Sequence, residues 1–131
     1  MIVDSSALVA IVRREPEADA FTKVISEAAS PTISVATFFE TAIVLDSKRD
    51  PVISGELDRF CSSANMQFLP VDETQARIAR QAYRDFGRGS GHPARLNFGD
   101  CFAYAAAKAL DEPLLYKGTD FGQTDVRSAL P

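Results

Sequence analysis

Four short apolar stretches, "MIV", "PTISV", "MQFLPV" and "PLLYK", are spaced along the chain with a long helical pattern or two between each pair. No Asn-Gly or Asp-Gly step joins any two of them, so none of these strands can turn straight back on its neighbour as a hairpin. Strands separated by helices pair in parallel, through crossovers that lay the helices on the two faces of the sheet. The predicted fold is therefore α/β: a three-layer α/β/α sandwich around a central, mainly parallel sheet of four or five strands. At 131 residues the chain is long enough for one substantial core, and a single domain over 1–131 is expected.

The helical segments follow from apolar spacing. "SSALVAIVRR" places Leu8, Ile11 and Val12 on one face, and "EPEADAFTKVISEAA" opens with a proline and acids suited to a first helical turn. "ATFFETAIVLDSKRD" aligns Phe38, Ala42 and Leu45, and "VISGELDRFCSSA" aligns Ile53, Leu57 and Phe60. "DETQARIARQAYRDFG" has Asp72 as cap and Gly87 as stop, and a Gly-rich loop, "GRGSGHPAR", leads on to the helix "NFGDCFAYAAAKAL". The tail "TDFGQTDVRSALP" reads as loop with a single helical turn.

Composition excludes several classes. A net charge of −4 is wrong for a general polyanion binder, so any nucleic-acid contact must be local. Cys61 and Cys101 have neither CxxC spacing nor a paired histidine, which makes them reduced, buried fillers. The chain start lacks a basic leader, Asp4 interrupts its apolar stretch, and no run is long enough to span a bilayer; no membrane association and a cytoplasmic location are expected.

Asp4 ends the first strand, Glu40 is expected in the first turn after the second, Asp100 in the first turn of the helix before the fourth, and Asp120 just after the fourth. A parallel sheet can gather all of these at the carboxyl edge of its strands, where open α/β sheets bind ligands. Each acid also has a purely structural reading: Thr37–Glu40 and Asn97–Asp100 have the form of capping boxes, Asp4 that of an N-cap, Asp120 that of a turn residue. Gathered together they are costly. Two carboxylates about 5 Å apart at an effective dielectric of about 20 repel by roughly 3 kcal/mol, a large share of the ~5–15 kcal/mol that stabilises a domain. No Lys or Arg lies within two residues of Asp4, Glu40 or Asp100, and the base nearest Asp120 is Lys117, three residues before it. A hard divalent cation, Mg²⁺ or Mn²⁺, would neutralise such a cluster and serve phosphoryl chemistry.

"MIVDSSALVAIV", "TFFETAIVL", "LNFGDCFAYAAAKAL" and "LLYKGTDF", in this order, resemble PIN-domain ribonucleases of the VapC type, the toxins of bacterial toxin–antitoxin pairs. The resemblance spans nearly the whole chain. It implies the PIN fold and a Mg²⁺- or Mn²⁺-dependent endoribonuclease that hydrolyses structured RNA such as tRNA or rRNA. It also implies a homodimer held inactive by a cognate antitoxin. The family's acidic quartet falls on Asp4, Glu40, Asp100 and Asp120, as catalytic residues and metal ligands, and its supporting hydroxyl on Ser6. Where many relatives carry Ser or Thr two residues before the last acid, this chain has Gly118, with Thr119 as a substitute hydroxyl and Asp125 as a further, peripheral acid.

Outside the acids, Arg77, Arg80, Arg84 and Arg88 recur at helical spacing and form a stripe suited to RNA phosphates, or simply a solvated face. His92, the only histidine, is read as a plain surface residue, and Phe38, Phe39, Phe60 and Phe68 as packing. Two other functions share the acidic edge. A receiver-like phosphoacceptor would use Lys117, although its usual adjacent acids are here replaced by Ser5 and Ser6; an inert PIN-fold binding module would leave the acids idle.

Overall fold

Ile2–Val3 (β1) is both apolar and fully buried, as a strand covered on each face must be. In the computed structural model, which describes residues 1–131, β1 lies between Thr32–Ser34 (β2) and Leu114–Leu115 (β4). Gln67–Leu69 (β3) forms the outer edge beside β2. Every pairing is parallel, with Ile2 opposite Thr32 and Leu114, Val3 opposite Leu115, and Ile33 opposite Phe68. The strand order β3-β2-β1-β4 thus puts the start of the chain at the centre of the sheet.

Successive strand residues face opposite layers, and the two cores show it. Val3 and Leu115 join Leu8 of helix α1 (Ser5–Val12), Phe21 and Ile25 of α2 (Ala18–Glu27), Leu45 of α3 (Val35–Asp46) and Leu57 of α4 (Pro51–Ser63). Ile2 and Leu114 instead join Ala82 of α5 (Glu73–Phe86) and a run of small residues, Ala103, Ala106 and Ala107, of α6 (Phe98–Leu110). These are the three layers that the alternation of strands and helices requires. No helix is long and apolar enough to cross a membrane.

The structure corrects several local expectations. The helix expected from Pro16 begins at Ala18, with Glu17 at its cap; Glu15 and Glu17 turn instead to Lys117, at 2.5 and 3.1 Å. The sheet has four strands, and a fifth is reduced to a single parallel bridge between Leu114 and Ser128 in the tail, which also holds a 3₁₀ turn at Phe121–Gln123. Gly87 does stop α5, but in extended geometry, with its backbone bridged to Leu96. Of the phenylalanines read as core or interface packing, Phe39 and Phe68 are exposed, which leaves them the interface alternative; Phe68 meets Phe38 edge-on at 5.0 Å. His92 is more than a surface residue: its Nδ1 accepts from the Ala94 N–H at 3.1 Å, and its ring stands edge-on against Phe86.

Candidate active site

Parallel β1, β2 and β4 deliver their carboxyl ends to one edge, and α6, running back towards β4, starts at that edge. Asp4 is the first residue beyond β1 and the N-cap of α1. It is the one acidic residue in the buried class, 2% exposed. Its Oδ2 accepts from the Ser6 N–H at 3.0 Å and from the Ser6 hydroxyl at 2.6 Å. Ser6 Oγ in turn accepts from the Lys117 N–H at 2.9 Å, and the Asp4 N–H donates to the Leu115 carbonyl at 2.9 Å. Ser6 therefore ties the tip of β1 to the segment leaving β4, the segment that carries Asp120.

Asp100 occupies the third position of α6 in a complete capping box. Its backbone N–H donates to Asn97 Oδ1 at 2.8 Å, and its Oδ2 accepts from the Asn97 N–H at 2.9 Å. The structural and chemical readings of this acid coincide, because the box uses only one carboxylate oxygen. Glu40 departs from its expected place. Ser34 caps α3, so Thr37–Glu40 is no capping box and Glu40 lies in the second turn. From there its carboxylate crosses to α6 and lies against Gly99, where any Cβ would overlap Glu40 Oε2. Gly99 is a site residue that sequence reasoning missed. The available signal was a glycine in the first turn of a helix, which costs stability unless something needs the space.

The acids act on one another electrostatically. Burial pushes the Asp4 carboxyl up to about 6, against the hydrogen bonds from Ser6, with further upward pressure from Asp100 and Glu40. Asp100 is also raised, first by burial and then by Glu40 and Asp120, while the Asn97 N–H and Arg88 oppose the shift. Arg88, remote in sequence, thus acts on the centre where no base was expected nearby. Asp120 is exposed, at the cap of the 3₁₀ turn, and its side chain makes no capping bond. Beside it Thr119 is exposed, and Gly118 has φ +99°, a conformation in which a serine would be strained.

Each central carboxylate keeps an oxygen in reserve. Asp4 Oδ1 and Glu40 Oε1 are buried and have no hydrogen-bond partner. Buried acceptors are normally satisfied, so two orphans in one acidic cluster are unusual. No three acidic, histidine or cysteine side chains surround one common point in this structure. Hard oxygen donors, several of them anionic, suit Mg²⁺ or Mn²⁺.

Other acids and bases are committed elsewhere. Asp125 does not join the centre: its oxygens accept from the Tyr104 hydroxyl at 2.7 Å and from Lys108 Nζ at 3.0 Å. Lys117, which a receiver-like site would need, is clasped by Glu15 and Glu17. Cys61 and Cys101 are free and buried, and burial pushes both thiols up to about 11. Arg77, Arg80, Arg84 and Arg88 are all exposed. Arg77 pairs with Glu73 at 3.0 Å, whereas Arg80 and Arg88 line a cavity that also includes Asn97.

Comparison with known proteins identifies the family. The PIN domain family matches residues 1–127. Ribonuclease VapC28 of Mycobacterium tuberculosis is 55% identical over 130 residues, covering 99% of this chain and 98% of the relative. Ribonuclease VapC of Mycolicibacterium smegmatis is 44% identical over 126 residues, covering 96% and 97%. The crystal structure of Mycobacterium tuberculosis VapC20, a Sarcin-Ricin loop cleaving toxin, shares the fold with a TM-score of 0.73 at 16% identity, over 95% of both chains. With the family match and these relatives covering nearly the whole of it, the chain belongs to the VapC ribonucleases of the PIN domain family.

Proposed function

We propose that this VapC-family ribonuclease is a Mg²⁺- or Mn²⁺-dependent endonuclease that hydrolyses phosphodiester bonds in structured RNA, a tRNA or a ribosomal RNA. Asp4, Glu40 and Asp100 would hold the cation, with Asp120 as a direct or water-mediated ligand. The observation that carries the reading is the pair of buried, unpartnered oxygens, Asp4 Oδ1 and Glu40 Oε1, beside one another's charge, where Asp100 and Glu40 add to the upward push of burial on the Asp4 carboxyl. A divalent cation bound there would promote ionisation of the attacking water and neutralise charge at the scissile phosphate.

The chain's own groups supply the rest. Ser6 fixes Asp4 through Oδ2 and leaves Oδ1 pointing to the task; the Asn97 N–H does the same for Asp100. Gly99 admits the Glu40 carboxylate to the cluster. Asp120, which makes no capping bond, is the carboxylate left to accept the proton as water attacks phosphorus and the sugar oxygen departs. Thr119 is the hydroxyl beside it.

In this reading the protein is a cytoplasmic toxin restrained by a cognate antitoxin and acts as a homodimer. The exposed apolar stripe Val35, Phe39 and Ile43 on α3 supports an assembly surface of this kind. The deciding experiment is cleavage-site mapping on total RNA with purified protein, with and without Mg²⁺ or Mn²⁺. Discrete cuts that need the metal and vanish in Asp4→Asn are expected. Cuts that persist in that variant or under chelation would overturn the assignment.

A further inference from the structure

Phe98 is the most exposed large apolar side chain of the molecule, at 79%, and it stands two residues before Asp100. Nothing in the core accounts for it. Phe102, one turn on, meets it edge-on at 4.9 Å and so sets the orientation of its ring. The two rings form one wall of a cavity of about 610 Å³ between α5 and α6, whose other lining includes Tyr83, Arg80, Arg88 and Asn97. That volume lies in the range of small-ligand sites. The cavity adjoins the acidic centre through Asn97, whose backbone N–H holds Asp100. Arg88 is brought to the same place by the bond from its N–H to the Leu96 carbonyl at 3.0 Å.

We infer that this cavity is a nucleotide subsite: Phe98, braced by Phe102, stacks an unpaired base of the RNA beside the scissile phosphate, and Arg80 and Arg88 hold the flanking phosphates. The inference rests on the nuclease reading for its register with the acids. Its occupant follows from charge and shape. In a chain of net charge −4, an aromatic face rimmed by two arginines and continuous with a phosphodiester-cleaving centre is complementary to single-stranded RNA, whereas an apolar segment would bury those guanidinium groups without partners.

The test uses the full chain in EDTA, so that binding is read without cleavage. The probes are a labelled single-stranded RNA of mixed sequence, the duplex it forms with its complement, and the same strand with abasic nucleotides. Phe98→Ala should weaken single-strand binding by roughly 5- to 150-fold, Phe98→Trp should restore it, and neither should alter duplex binding. Abasic substitution should weaken binding to the wild type and leave Phe98→Ala unchanged. Equal single-strand affinity in Phe98→Ala, or failure of Trp to rescue, would overturn the inference. So would conversion of a dimer to a monomer by Phe98→Ala in sedimentation, which would make this face a subunit contact. A wild type that binds in this pattern but cuts nothing with Mg²⁺ or Mn²⁺ would sink the nuclease reading and spare the subsite. Metal-dependent cutting with unchanged binding in Phe98→Ala would do the reverse.

Discussion

Helix α6 meets carboxylates at its first turn and along its later turns, and the two places are built on opposite terms. Along its later turns, Tyr104 and Lys108 both donate to Asp125, whose proton affinity is lowered first by the tyrosine hydroxyl. At its first turn, Asp100 stands with Glu40, Asp4 and Asp120, and its proton affinity is raised. The later cluster is closed: every charge has its counterpart. The first is left short of positive charge, with buried oxygens unclaimed. The second arrangement costs stability, so the difference between the ends sets an acid tied into the fold against acids that the proposed function would use for chemistry.

Asp4→Asn gives the largest separation. Cleavage should vanish, and the metal-free protein should become more stable at pH 7.5. Folding raises the Asp4 carboxyl from 3.8 to about 6. The folded state therefore binds the proton more tightly, and the site's contribution to stability falls as pH rises from about 4 to 6. The full cost at neutral pH is about 3 kcal/mol, of which the variant should recover about 1–3 kcal/mol. Urea titrations across this pH range, with and without Mg²⁺, check the sign: Mg²⁺ should stabilise the wild type and not the variant. A less stable variant with the wild-type pH slope would erase the contrast between the two ends.

Gly99→Ala should displace Glu40 and lower cleavage by about 10- to 100-fold, the scale of losing a group that positions a metal ligand. At an ordinary helical site this change stabilises by about 0.5–1 kcal/mol. Here that gain should appear only when Glu40→Ala is added, as coupling in a double-mutant cycle followed by thermal melts. Tyr104→Phe addresses the closed cluster. It should cost about 1 kcal/mol in urea titrations, one hydrogen bond to a partly solvated charge, and leave cleavage unchanged. Lys108→Gln should have the smallest effect, below about 1 kcal/mol and fading with added salt, because its ion pair is exposed.

The layers and the acidic edge were legible because they depend on local periodicity and on where parallel strands end. Asp4, Asp100 and Asp120 fall where those rules put them. Glu40 was misplaced by part of a turn because Ser34, the last residue of β2, is also the helix cap, a place the Thr37–Glu40 pattern gave to Thr37. Its contact with Gly99 joins two helices far apart in sequence, and no local pattern encodes such a meeting. The approach of Arg88 to Asp100 depends on a loop pinned by the Gly87–Leu96 bridge, and the exposure of Phe98 on how α5 and α6 meet. Packing between elements decides these, and a single chain read in order does not display it.

The Ser6 hydroxyl, donating to Asp4 while accepting from the amide of Lys117, has a consequence for the newly made polypeptide. Two parts of the proposed centre, Ser6 and Lys117, lie 111 residues apart in the chain and are made at well-separated times. A product that stops short of Lys117 lacks the amide that seats Ser6 and lacks Asp120 as well, so the proposed centre cannot be assembled until both have been made.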